Sequence, residues 1–152
     1  MVPSYRFVIS HRHDDDRCAV VDAGLTAFND SRIPFFAEAR PPGKSWEPLH
    51  VFLEDSEREV LGGAIGRVHR TWGWLHVENL CVDEVVRGQQ YGRVLMQCIE
   101  TDARALGCRH ADLRTFDFQA LGFYQKLGYG IVGHLDDFPE GHTFYWLRKD
   151  FE

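Results

Sequence analysis

Between Leu80 and Met96 an apolar run, Leu80-Cys81-Val82, passes through a turn rich in Arg and Gly into a helical pattern that opens at Tyr91. The chemistry this suits is the gripping of a diphosphate. Backbone N–H groups at a helix start have no intrahelical acceptor, and the macrodipole adds positive potential there. Gly88 and Gly92 let a ligand come close to the backbone, and Arg87 and Arg93 offer charge-assisted hydrogen bonds to phosphate oxygens. Upstream, His76 and Glu78 share one parity along the run Trp74 to Val82 and so face the same way. Polar groups among Trp74, Leu75, Val77, Leu80 and Val82 call for a reason, because burial without partners costs free energy. A wet sheet face, or satisfied structural hydrogen bonds, accounts for them as well as catalysis does.

Two segments together resemble a known family. The spacing Arg87-x-x-Gln90-x-Gly92 after an apolar strand is similar to the acyl-coenzyme A signature of the GNAT N-acetyltransferase superfamily, R/Q-x-x-G-x-G/A. Asp117-Phe118-Gln119-Ala120-Leu121-Gly122-Phe123-Tyr124-Gln125-Lys126-Leu127-Gly128-Tyr129 resembles its later motif, N-x-x-A-x-x-F-Y-x-K-x-G-F/Y. The likeness is close over roughly residues 74 to 135, with Gln90 where the family usually has Gly and Asp117 where it has Asn.

The resemblance implies acetyl-coenzyme A as cofactor, with coenzyme A as product, and direct transfer to a primary amine of a small molecule or peptide. It implies that Arg87, Gly88, Gln89, Gln90, Tyr91, Gly92 and Arg93 anchor the pyrophosphate, and that the backbone edge at Leu80, Cys81 and Val82 pairs with the pantetheine arm. Tyr124 stands where the family keeps a tyrosine near the thioester sulfur, and a phenol of pKa about 10 can protonate a departing thiolate. An alkyl ammonium of pKa about 10.4 must lose a proton before it attacks, and the resemblance puts the base on the strand carrying Glu78, the first choice, and His76, the second. Asp117 is expected to turn or cap the helix that carries Tyr124, and the resemblance puts it near the pantetheine. A non-catalytic acyl-coenzyme A binding or sensing module would keep the same cradle. A nucleotide-binding module is disfavoured, since neither G-x-x-x-x-G-K-S/T nor a G-x-G-x-x-G after the first strand is present.

At 152 residues the chain has the length of one domain, and residues 1–152 are read as a single one. Its net charge of −6 makes it a poor non-specific binder of nucleic acid or anionic membrane, so neither is expected as a partner. With no basic region leading an apolar stretch at the start, a cytoplasmic location is expected. Cys18, Cys81, Cys98 and Cys108 form no C-x-x-C pair and sit among apolar neighbours, so they are expected as buried free thiols. His11-Arg12-His13-Asp14-Asp15-Asp16 reads as a helix start, and no metal is expected.

The elements that must position these residues follow from periodicity. A strand at Arg6 to Ser10 and a helix carrying Val20, Val21, Leu25 and Phe28 come first. Asn29 to Pro48, with five prolines or glycines, reads as a broken helix plus loop, where the resemblance puts the acceptor lip. Strands at Leu49–Glu54, Val60–His69 and Trp74–Val82 form a meander, in which Gly62, Gly63 and Gly66 point to a bulge or a close neighbour. A helix over Tyr91–Leu106 with a stripe of Val94, Leu95, Cys98, Ile99, Ala103 and Leu106 follows, then a strand at Arg109–Thr115, a short helix at Gln119–Leu127, and strands at Ile131–Leu135 and Thr143–Arg148. Periodicity alone gives a mixed α/β chain with a central sheet. The resemblance implies the GNAT fold, an α/β (α+β) arrangement in which a mixed, mostly antiparallel sheet of six to seven strands is flanked by about four helices. It also puts the acidic loop Leu135 to His142 over the acceptor, with Phe138, Trp46 and Phe35 beside it. The far edge of the sheet leaves room for a homodimer.

Overall fold

Residues 6–33 and 46–152 are described by a computed structural model, in which the chain divides into two units, Met1–Gly43 and Lys44–Glu152. Within the first unit lies helix α1, Asp15–Arg32, which begins as its acids imply: the Asp14 carboxylate accepts the Arg17 amide at 3.0 Å, and Asp15 and Asp16 occupy the positive first turn. Arg6 to Ser10 do not form the expected strand. They pair with no ladder among the described residues, and Phe7 and Ile9 are exposed, so apolar alternation there found no neighbour to bond. Phe35 and the middle of the Pro/Gly-rich segment, residues 34–45, lie outside the described residues.

The second unit holds β1 (Glu47–Glu54), β2 (Val60–His69), β3 (Trp74–Val82), a 3₁₀ turn (Glu84–Val86), α2 (Tyr91–Ala105), β4 (His110–Phe116), α3 (Leu121–Lys126), β5 (Gly130–Asp136) and β6 (Thr143–Asp150). The six strands form one sheet in the order β1-β2-β3-β4-β6-β5. Only β3 and β4 pair in parallel. Three α-helices and a 3₁₀ turn are present among the described residues, against about four helices expected.

Helix α2 covers one face of the sheet, where Leu95, Met96, Ile99 and Ala103 meet Ala64, Val68, Leu75, Val77, Leu113 and Leu147. Val94 and Cys98, expected in that stripe, are exposed, and Met96 with Glu100 takes the buried positions instead. Glu100 is 4% exposed yet fully partnered: it accepts the Tyr129 hydroxyl at 2.9 Å and the Lys149 ammonium at 2.6 Å, tying α2 to β6 and to the end of α3. Both later helices stop in the same way. Gly107 and Gly128, at φ +92° and +91°, donate to Arg104 and Gln125, while Cys108 and Tyr129 donate to Ala103 and Tyr124, the paired bonds of a Schellman closure.

One irregularity shapes the rest. Ile65 pairs with Asn79, but its neighbour Gly66 pairs with Val77, so Glu78 is the extra residue of a bulge in β3. Leu75 and Val77 are buried in the core before it, and Leu80 and Val82 pack on the core after it, so the bulge reverses the parity of the strand. Glycine in β2 permits this approach. A Cβ on Gly66 would stand 2.7 Å from the His76 carbonyl oxygen, and one on Gly62 2.8 Å from that of Cys81. The parallel ladder with β4 covers only Trp74–Val77 against His110–Leu113 and ends where the bulge begins.

Candidate active site

Beyond Val77 the edge of β3 that would have met β4 has no strand partner, and the two strands part around a cleft of about 1040 Å³. Glu78, Asn79, Leu80, Cys81 and Val82 form one wall. The opposite wall is Arg114 and Thr115 at the end of β4 with Gln119, Phe123 and Tyr124. The floor is the start of α2 and the turn before it, with Val86, Arg87, Gly88, Gln90, Tyr91, Gly92 and Arg93.

That floor has the properties of an anion seat. The Arg93 and Val94 amides donate to the Gln90 carbonyl, at 3.0 and 3.1 Å, so helical bonding starts there. The amides of Gly88 to Gly92 have no acceptor among the described residues, as unspent donors at a positive helix end. Gln90 is left-handed at φ 64°, a conformation that glycine adopts freely and that costs other residues roughly 1–2 kcal/mol. This is the physical sense of the usual glycine there, and Gln90 holds the same backbone. Arg87 does not reach out: it donates to the Val82 carbonyl at 3.0 Å and pairs with Glu84 at 3.2 Å, bracing the end of β3. Arg93, Arg114 and Lys126 line the cleft with no carboxylate partner among the described residues, leaving it positive in a chain of net charge −6. Free amides, excess cation and an unpaired strand edge together fit a diphosphate followed by an amide-bearing arm.

Tyr124 is buried, and its ring packs edge-on against Phe123 and Tyr129 at 5.2 and 6.0 Å. The Tyr129 contact is the apolar clasp of the Schellman closure, which fixes where Tyr124 stands on so short a helix. Burial pushes its hydroxyl pKa above the ordinary phenol value. Glu78 lines the cleft from the bulge, its carboxylate 3.2 Å from the Arg67 Nε, and that guanidinium lies 4.9 Å from the Trp46 ring centre. His76 is buried outside the cleft lining, with Nδ1 2.8 Å from Asp112 across the parallel ladder.

Three expectations are corrected. Asp117 does not cap α3, whose first turn has no side-chain cap; it accepts the Phe118 amide at 2.8 Å and faces His142 at 3.1 Å, outside the cleft. Partial desolvation raises its pKa, but hydrogen bonds from Thr143, Phe118 and His142 outweigh this and hold the carboxyl below the usual range. Gln119 does the local work instead, accepting the Phe116 amide at 3.0 Å and the Thr115 hydroxyl at 3.2 Å. Gln89, expected in the cradle, is not among the residues lining it. Of the four cysteines only Cys108 is buried; Cys18, Cys81 and Cys98 are exposed, and Cys81 lines the cleft. Arg67, Arg114 and Gln119 went unpredicted, and only the alternation of Arg67 with buried Ala64 and Val68 gave any sign of the first.

The parted parallel pair and the free amides at the helix start suit the acyl-coenzyme A site that the two motifs imply, and the comparisons define the class. The model of the acetyltransferase (GNAT) domain matches residues 47–131, and the chain belongs to that family. It is accordingly an acyltransferase with acetyl-coenzyme A as donor. It is 40% identical over 131 residues to the blasticidin-S acetyltransferase of Streptomyces morookaense, across 83% of this chain and 95% of that one. An acetyltransferase of Agrobacterium fabrum is 31% identical, across 95% and 98%. The crystal structure of an acetyltransferase from Bacillus cereus superposes with a TM-score of 0.79 at 29% identity, across 95% of this chain and 98% of that one. No helix among the described residues is long and apolar enough to cross a membrane.

Proposed function

We propose that the enzyme transfers acetyl directly from acetyl-coenzyme A to a primary amine of a small molecule, without an acyl-enzyme. The observation that carries this is one cleft with a positive, amide-rich floor, an unpaired strand edge, and a carboxylate and a phenol on its facing walls. The amides of Gly88 to Gly92 hold the diphosphate, Arg93 adds charge, and the β3 edge bonds the pantetheine amides. Fixing both reactants in this way is worth roughly 7–11 kcal/mol of the barrier, more than any one side chain supplies.

Glu78 takes the proton of the incoming ammonium, directly or through one water, with Arg67 keeping its carboxylate at the cleft. Tyr124 donates the proton that the departing thiolate needs, and its raised pKa keeps it protonated at neutral pH. The likeness to a blasticidin-S acetyltransferase supports a small antibiotic-like amine over a peptide as acceptor.

The test is Tyr124→Phe. Thiol release is expected to fall about 10²-fold or more in kcat, while the KM for acetyl-coenzyme A stays within about twofold. An unchanged kcat would remove Tyr124 from the reaction.

A further inference from the structure

Three cations, Arg93, Arg114 and Lys126, line the cleft without a carboxylate partner among the described residues, and two of them stand by the diphosphate seat. Arg93 lies in the first turn of α2. Lys126 follows Phe123 by three residues on α3, and a Cβ on Gly92, in that same first turn, would stand 3.5 Å from the Phe123 ring. Arg114 belongs elsewhere. The last pair of the parallel ladder is Val77 with Leu113, so Glu78 and Arg114 are the first residues past it, one on each side of the fork. From Glu78 the strand runs four more residues to Val82, about 13 Å, before the amide-rich turn begins. Leu113 and Thr115, on either side of Arg114, are each 2% exposed, so the Arg114 side chain leaves by the sheet face that α2 does not cover.

The two charges at the fork are not spent on each other. Glu78 pairs with Arg67 at 3.2 Å, and no ion pair joins it to Arg114 among the described residues. Other charges on that face are matched: Asp112 meets His76 at 2.8 Å, and Arg148 meets Asp150 at 2.8 Å. A carboxylate that draws the acceptor's ammonium thus faces an unmatched guanidinium across open space, and the planar fork of a guanidinium is the geometric match of a carboxylate.

We infer that the acceptor carries a carboxylate besides its amine, and that Arg114 binds this carboxylate while Glu78 faces the amine. This rests on the transfer reaction proposed above, and names its acceptor class. A polyamine, or an aminosugar without an acid, would leave Arg114 unmatched and bring further positive charge towards it.

Thiol release at saturating acetyl-coenzyme A tests this with γ-aminobutyrate, δ-aminovalerate and ε-aminocaproate, each beside its primary amide and the diamine of equal length. At the length that spans the fork, kcat/KM for the acid is expected to exceed that for the amide about tenfold or more, and that for the diamine further. Arg114→Gln should bring acid and amide within about twofold of each other, Arg114→Lys should keep part of the preference, and Arg114→Glu should turn it towards the diamine. In all three variants the KM for acetyl-coenzyme A stays within about twofold of the parent's, which also reports that they are folded. Arg93→Gln should do the reverse, raising the KM for acetyl-coenzyme A and leaving the ratio of acid to amide as it was. No preference for the acid at any length, or a preference that Arg114→Gln leaves intact, overturns the inference while the transfer reaction stands. So does a rise in the KM for acetyl-coenzyme A in Arg114→Gln with the ratio unchanged, which would make Arg114 a phosphate contact. Absence of thiol release with every amine overturns both.

Discussion

At the scale of single residues, the cleft sets the two side chains to which we assign opposite proton tasks, a carboxylate and a phenol, on facing walls, and each is held by a neighbour. Arg67 holds Glu78, and the contact between Tyr129 and Tyr124 holds the phenol. With Glu78 as the base, Glu78→Gln lowers kcat by about 10²-fold. Steady-state kinetics check this, and an unchanged kcat would exclude the carboxylate. Tyr124 and the turn at 87–92 were legible in the chain because each lies inside a short local pattern. Arg67 and Asp112 were not, because what brings them to Glu78 and His76 is register across strands, which no local window holds. The thiols were misjudged for a related reason. Apolar neighbours in the chain do not say which way a side chain turns, and Cys81 and Cys98 turn outward.

At the scale of elements, the bulge at Glu78 and the short parallel ladder are one device. The extra residue turns a carboxylate into the cleft, and the parted strands make the cleft. Gly62, Gly63 and Gly66 did announce a bulge or a close neighbour, and both are present, although the extra residue lies in the partner strand. Gly66→Ala is therefore expected to cost about 1–3 kcal/mol in denaturant unfolding and to lower kcat with it, since the added methyl pushes on the His76 carbonyl beside the bulge. Gly122→Ala, in α3 with open space around it, should be neutral or stabilising by less than about 1 kcal/mol. Equal losses in the two variants would show that the close approach matters little. The strand expected at Arg6 to Ser10 failed because alternation proposes a strand but only a bonded neighbour makes one.

At the scale of the whole molecule, the second unit is fastened through one buried polar knot, Glu100 with Tyr129 and Lys149. Burial, then the charge of Glu100 and its hydrogen bond, raise the Tyr129 pKa far above that of a free phenol. A folded pKa above the unfolded one means that the unfolded chain loses its proton first. The contribution is thus complete below about pH 10 and is lost as pH rises above it. Denaturant unfolding from pH 8 to 11 should show this fall, and Tyr129→Phe should weaken it while costing about 1.5–3 kcal/mol at pH 8. The same slope in the variant would assign the fall to other groups. Among the described residues, the ladder joining the two antiparallel halves into one sheet is the four residue pairs of β3 and β4, with the Arg109 and His110 amides bonded to the Gly73 carbonyl at its end. Like a zip left half open, that seam closes fully only when a guest supplies the missing teeth, so occupancy and robustness rise together and the empty enzyme is the more perishable form.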